Sequence, residues 1–281
     1  MPAKAKKVVS SNLYQRPFLK WAGGKYRLLP RILKVLPQGN KLIEPFVGSG
    51  VLFLNTDYDR YLLADINPDL INLFNDLKKG KQQFIDYCST FFTEQYNSSK
   101  KFYELREYFN QLEAGTERSA LFVYFNRHGY NGLCRYNRSG GFNVPFGRYK
   151  RPYFPAREME IFARKAKRAE FRCQGFMKTM GHSRKGNVIY CDPPYLPWSL
   201  TANFTSYSQH DFSLDDQRTL ALEAARVAQR DVPVVIANHD TDFARLIYDK
   251  AAQIESFPVR RFISCDGKGR NNAQELMAVY R

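Results

Sequence analysis

Paired cysteines, metal-spaced histidines, long apolar runs and acidic residues are all scarce in this chain. Each scarcity closes a class of function. The five cysteines, Cys88, Cys134, Cys173, Cys191 and Cys265, are scattered and include no C-x-x-C pair. That argues against a disulfide framework and against a zinc site. The four histidines, His128, His182, His210 and His239, have no metal-ligand spacing, so no metal is expected. No stretch approaches the length of a membrane span. The first eleven residues are basic and polar, without the apolar centre of a signal peptide. A reducing cytoplasm is the expected compartment. Acid is short as well: 27 Asp and Glu against 43 Lys and Arg leave a formal net charge of +16. A surface of that sign draws phosphate backbones and favours fast, salt-sensitive association with nucleic acid. A merely soluble basic protein or a peripheral membrane binder would share that composition. Aromatic residues, at 15%, favour nucleic acid, because their rings stack on exposed bases.

What is present is enough to fold. Hydrophobic residues make up 44% of 281, sufficient for one large domain or one domain carrying an insertion. Residues 1–16 read as a flexible tail and 18–26 as a loop, with a helix following to about position 36. Leu42-Ile43 leads into Glu44-Pro45-Phe46-Val47-Gly48-Ser49-Gly50, the pattern of a buried strand that turns on glycines into a helix. Tyr61-Leu62-Leu63-Ala64 reads as the next strand, ending at Asp65, with Asn67 capping a helix that opens at Pro68. Helical periodicity appears over 102–112 and 120–127, and a segment rich in Asn, Arg, Gly and Tyr spans 126–153. The reading is an α/β catalytic domain in two parts, 17–69 and 156–281, interrupted by a mainly helical recognition region at 70–155. Alternation then resumes: a helix over 158–168, strands at 171–173 and 188–191, a long helix over 214–230 capped by Ser213, and a strand over 232–237. Two final strands, 255–263 and 275–280, form a terminal hairpin that makes the sheet mixed. No internal repeat is present.

The chemistry concentrates at Asp192-Pro193-Pro194-Tyr195. The tetrapeptide follows an apolar strand, where open α/β sheets place ligands. Two prolines stiffen the turn and remove two N–H donors, leaving carbonyls free to accept. A carboxylate and a prolyl carbonyl can both accept from one –NH2 group. For an adenine amine, whose lone pair is delocalised into the ring, two convergent acceptors favour a more tetrahedral nitrogen. They also stabilise the positive charge that develops during methyl transfer. Tyr195 can stack on a base turned out of the helix. A rigid surface turn would carry the same four residues.

Cofactor chemistry is read upstream. Gly48 and Gly50, after Glu44 and Phe46, let backbone approach a ligand closely. The dinucleotide fingerprint is absent, because Phe53 stands where its third glycine would be. Asp65 ends the next strand 15 positions after Gly50 and can bind ribose hydroxyls, or cap a helix. Trp21 and Lys25 flank a Gly-Gly turn. Trp21 could cover a cofactor and Lys25 could pair with its carboxylate; a buried Trp with a solvated Lys is the plainer alternative. The segment 126–149 is dense in base-reading chemistry, because Arg pairs bidentately with guanine and Asn with adenine. Arg127, Asn131, Arg135 and Asn137 are candidates, with Arg148, Lys150 and Arg151 for phosphates and Tyr130 or Leu133 as wedges. A polar surface loop has a similar composition. His128 is read as structural.

Together these motifs resemble the Dam family, the DNA adenine methyltransferases that modify GATC. The resemblance covers roughly residues 17–280. It rests on Phe18-Leu19-Lys20-Trp21-Ala22-Gly23-Gly24-Lys25-Tyr26, on the 44–50 turn and on Ala64-Asp65-Ile66-Asn67. It continues through Gly132-Leu133-Cys134-Arg135-Tyr136-Asn137, Phe142-Asn143-Val144-Pro145-Phe146-Gly147-Arg148-Tyr149, the Asp-Pro-Pro-Tyr turn, Thr201-Ala202-Asn203-Phe204-Thr205 and Asn238-His239-Asp240. The resemblance implies a seven-stranded class I methyltransferase sheet and S-adenosyl-L-methionine as cofactor. It implies double-stranded DNA as partner, with no obligate protein partner, and a bacterial, nucleoid-associated setting. Trp21, Lys25, Asp65 and Asp192 then match cofactor-contacting positions. Lys20, Tyr130, Asn131, Leu133, Arg135 and Pro145 match DNA-contacting ones, with Tyr149 beside them and Arg135 as the guanine reader. The loop 264–272 is expected to vary. A modification enzyme with another target, a catalytically silent DNA-binding regulator, a dehydrogenase, or an RNA or protein methyltransferase are the competing readings.

Overall fold

The computed structural model describes residues 13–195, 212–259 and 273–281. The 201–205 motif, Cys265, His210, the 264–272 loop and most of the expected tail lie outside them. Seven strands form one sheet: β1 (Lys41–Glu44), β2 (Arg60–Asp65), β3 (Ala169–Cys173), β4 (Asn187–Cys191), β5 (Val234–His239), β6 (Gln253–Val259) and β7 (Ala273–Tyr280). The spatial order is β3-β2-β1-β4-β5-β7-β6. The first five run parallel, while β7 pairs antiparallel with both β5 and β6. The sheet is therefore the mixed α/β sheet with a terminal hairpin that the sequence predicts.

The central strands are apolar on both faces because both faces are covered. In β4 every residue is buried. Val188 and Tyr190 join one core, and Ile189 and Cys191 the other. Nine helices are described. On the first face are α1 (Leu29–Val35), α2 (Val51–Asn55), α3 (Pro68–Ser89), α4 (Ser99–Gln111), α5 (Thr116–His128) and α6 (Ala156–Lys165). On the second are α7 (Phe176–Gly181), α8 (Leu214–Ala228) and α9 (Asp242–Ile247). Caps fall where the sequence places them. The Asn67 side chain accepts from the Leu70 N–H at 3.2 Å, and Ser213 with Asp216 closes a capping box at the start of α8.

Helix α3 runs through position 70 without a break, packing on β2 and β3 as well as on α5 and α6. Its residues and those of α4 and α5 share one buried cluster with Leu42 and Leu63 of the sheet. Beyond α5, residues 129–149 add no strand to the sheet. They fold back on themselves through two isolated antiparallel bridges, Gly129 with Phe146 and Tyr136 with Phe142.

Candidate active site and nucleic-acid interface

The strand order dictates the site. Adjacent parallel strands β2, β1 and β4 end side by side, so Asp65, Glu44 and Asp192 line one edge of the sheet at its reversal of winding. Further along that edge, β5 ends at Asn238 and His239, and antiparallel β7 begins beside it, with Glu275 paired to His239.

Lys25 sits at the centre. Its ammonium is 2.9 Å from Asp192 Oδ1, 4.3 Å from the centroid of the Tyr195 ring, and donates to the Gly23 carbonyl at 2.6 Å. It is only 8% exposed. Burial pushes the Asp192 carboxyl up, and Lys25 and then Tyr195 oppose that. The Tyr195 hydroxyl donates to Glu275 Oε2 at 3.1 Å, and its ring meets His239 edge-on at 4.6 Å. The Pro194 carbonyl accepts from Gln217 Nε2 at 2.7 Å.

Next to this group, Glu44 is buried, and its Oε1 has no hydrogen-bond partner among the described residues. Burial, reinforced by the Asp192 charge, raises its carboxyl to about 8, with the Phe53 backbone N–H and Lys165 opposing. Asp65, by contrast, has both carboxylate oxygens hydrogen-bonded. Its Oδ2 accepts from the Gly48 N–H at 3.2 Å and its Oδ1 from the Asn67 N–H at 3.1 Å. Burial still raises its carboxyl, against those N–H donors. Gly48 has φ +48, and a Cβ there would stand 2.9 Å from Trp21 Nε1. Glycine lets the turn and the indole approach each other. Phe46 lies against Phe176 and Phe212, with centroids at 5.8 and 5.5 Å.

The 129–149 segment carries most of the candidate DNA-contacting residues. Tyr130, Asn131, Asn137, Pro145 and Arg148 are exposed, and Leu133, Arg135 and Tyr149 are half-buried. Arg135 donates through Nε and NH2 to the Asn143 carbonyl at 2.9 and 2.7 Å, which fixes the guanidinium on the hairpin. Lys20 Nζ stands 4.3 Å over the Tyr149 ring, and the Asn131 N–H donates to the Tyr149 hydroxyl at 3.0 Å. The Asn126 amide pairs with both the N–H and the carbonyl of Lys20. Gly132, at φ +65, would clash with Lys20 if it carried a Cβ. The 20–25 segment thus touches the hairpin at Lys20, the glycine turn at Trp21 and the acidic edge at Lys25.

Two candidates are turned elsewhere. Arg127 is 9% exposed and donates to the Phe18 carbonyl, so its charge is spent inside the protein. The Asn137 side-chain Oδ1 accepts from the N–H of Ser139 and of Gly141 at 3.1 and 2.8 Å, closing the hairpin turn. His128 is buried against Tyr124 and pushed down to about 4 by that burial, in keeping with a structural place.

Several residues of the site carry no assigned role in the sequence: Gln217, Asn238, His239, Glu275, Tyr190, Phe176 and Phe212. The Asn238-His239-Asp240 triplet had a usable signal, because it ends an apolar strand as Asp192 does.

The model of D12 class N6 adenine-specific DNA methyltransferases matches residues 21–261. The chain belongs to that family. The methyltransferase is 51% identical to a DNA adenine methylase of Vibrio cholerae over 95% of its own length and 96% of the relative's. It is 52% identical to one of Serratia marcescens, covering 95% and 98%, and 48% identical to one of Escherichia coli, covering 95% of both. A putative methyltransferase from Streptococcus mutans in complex with SAH covers 91% of this chain at 9% identity and a TM-score of 0.33, a likeness too loose to bear on function. The methyltransferase acts on adenine in DNA. Among the described residues no helix is long and apolar enough to cross a membrane.

Proposed function

We propose that this enzyme transfers the methyl group of S-adenosylmethionine to N6 of adenine in double-stranded GATC, with the target base turned out of the duplex. One observation carries the reading. The Asp192 carboxylate and the face of the Tyr195 ring converge on a single nitrogen, the Lys25 ammonium, at 2.9 and 4.3 Å. A carboxylate beside an aromatic face is the arrangement that holds an N–H donor attached to a stacked ring.

The residues present fit the cofactor. Lys25 offers a cation for its carboxylate, the unpartnered Glu44 Oε1 an acceptor for its ammonium, Asp65 a carboxylate for its ribose, and Gly48 with Trp21 a close wall. S-adenosylmethionine supplies an electrophilic methyl carbon, so the protein's part is alignment and polarisation. With the Pro194 carbonyl bonded to Gln217, the Pro193 carbonyl is the acceptor left to join Asp192 on the amine. Lys25 releases Asp192 as the amine arrives and keeps the Gly23 carbonyl. Water exclusion by Tyr195 and the buried edge strengthens both hydrogen bonds to the amine as positive charge develops.

Site selection falls to the hairpin: Arg135 reads guanine, Lys20, Tyr130, Asn131, Leu133 and Pro145 line the groove, and Arg148 and Tyr149 meet the backbone. GATC itself rests on the family resemblance. Incubation with labelled cofactor and duplexes with or without GATC tests the whole reading. Label confined to adenine of the GATC duplex is expected. Equal label in both duplexes overturns the target, and label on cytosine overturns the reaction.

A further inference from the structure

The catalytic turn cannot anchor itself. Pro193 and Pro194 have no N–H, so the peptide planes between Asp192 and Tyr195 must be fixed from outside. The donor that does this is Gln217, a side chain 1% exposed in the first turn of α8. Its Nε2 donates to the Pro194 carbonyl at 2.7 Å. Its Oε1 accepts from Asn238 Nδ2 at 3.0 Å and from the Tyr248 hydroxyl at 3.4 Å. Asn238, fully buried on β5, also donates to the Tyr248 hydroxyl at 2.9 Å and accepts the N–H of His239 at 2.8 Å. His239 in turn packs on the Tyr195 ring.

This network has one sense. Asn238 must present its amide hydrogens to Gln217 Oε1, because its own oxygen is taken by the His239 N–H. That leaves Gln217 only its NH2 to present to the turn. The Pro194–Tyr195 peptide plane is thereby set, and with it the direction in which Tyr195 leaves the chain. A buried network satisfied at each of these atoms rigidifies what it holds.

We propose that Gln217, oriented by Asn238, is a positioning residue for methyl transfer. It pins the Pro194 carbonyl away from the reacting nitrogen, leaving Pro193 and Asp192 to face it, and it holds Tyr195 as a fixed stacking platform. The proposal rests on the reading of 192–195 as the amine site. Gln217 touches neither substrate nor cofactor, so its loss shows in the chemical step and not in binding.

The experiment is single-turnover methyl transfer on a GATC duplex at saturating cofactor and DNA, with cofactor and DNA affinities measured by calorimetry and anisotropy. Gln217→Met keeps the length and loses the donor. Its rate is expected to fall roughly 10–100-fold, the scale of a small misplacement at a reacting centre, with both affinities within about twofold of wild type. Gln217→Glu donates to the Pro194 carbonyl only when protonated. Its rate relative to wild type is therefore expected to rise as pH falls, a signature that loss of packing would not give. If Gln217→Met does not fold, Asn238→Asp, which removes the orienting N–H, is read on the same criteria. A rate within threefold of wild type, or affinities that worsen in step with the rate, overturns the proposal. A wild-type enzyme that labels no adenine overturns the reading of the site and this proposal with it. An active wild type with indifferent variants overturns the proposal alone.

Discussion

At the scale of the residue, two carboxyls at the ends of adjacent strands have different surroundings. Asp192 has a cation against it, whereas Glu44 is buried with one oxygen unpartnered among the described residues. Replacing Asp192 by Ala removes one of the two acceptors proposed for the amine, and the anion facing Lys25. Turnover is expected to fall below detection while DNA affinity stays within about threefold, because the hairpin is untouched. Normal turnover in a labelled-cofactor assay would remove Asp192 from the chemistry. Glu44 gives a pH prediction. Its carboxyl ionises near 4.5 when unfolded and at about 8 when folded. Between those values the folded state holds a proton that the unfolded state has released, so the residue's contribution to stability falls as pH rises through that window and levels off above about 8. Glu44→Gln lacks this titration. Its melting temperature is expected to match wild type near pH 4.5 and to exceed it increasingly toward pH 8, by several degrees. A constant offset across the range would show that Glu44 is already ionised in the fold.

At the scale of the element, the hairpin is a polar loop made rigid from below. The Tyr136 hydroxyl donates to Asp69 Oδ2 at 2.6 Å, and Arg118 grips both oxygens of the same carboxylate at 2.6 and 3.1 Å. Asn110 pairs with both backbone groups of Phe142, and Arg106 donates to the Val144 carbonyl. Arg135 is thus presented by a scaffold. Arg135→Ala is expected to lower discrimination between GATC and a changed guanine by about 1–3 kcal/mol, measured as the ratio of kcat/KM values. Unchanged preference would take it out of the reading set. Tyr136→Phe leaves Arg118 on Asp69, so the fold persists with about 1 kcal/mol less stability. The same ratio is expected to shrink by a smaller factor as the hairpin loosens, and an unchanged ratio would show that the hydroxyl contact does not position Arg135. The segment was legible from its density of Arg, Asn and Tyr. The direction of each side chain was not. Arg127 is drawn inward by a carbonyl 109 positions away, which no local pattern encodes, and the Asn137 Oδ1 is taken up by the turn it closes with Ser139 and Gly141. The strands were legible because apolar runs stop abruptly at polar ends. Helices α7 and α9, six residues each, are too short to show a period. Gln217 was hidden for a related reason: a buried amide at a polar-looking position in α8 is distinguishable from a surface residue only once β5 and the 192–195 turn are brought against it.

At the scale of the whole molecule, a net charge of +16 and the hairpin's hydrogen bonds to base edges should make separable contributions to DNA binding. The charge acts on every phosphate alike. Each neutralised phosphate releases counterions, and log affinity falls with log salt by about 0.9 per phosphate contacted. With roughly five contacts, affinity for any duplex is expected to fall several-hundred-fold between about 50 and 200 mM salt. Hydrogen bonds to base edges release few ions, so the ratio of affinities for a GATC duplex and a scrambled one should change little over that range. Anisotropy titrations of the two duplexes at several salt concentrations measure both quantities. Parallel lines on the log–log plot, offset by a fixed amount, place specificity in the hairpin and capture in the basic surface. Lines that converge as salt rises would mean that discrimination itself is electrostatic. In that case Arg135 would act on phosphates instead of on a base, and the division of labour between the 129–149 hairpin and the acidic edge of the sheet would have to be redrawn.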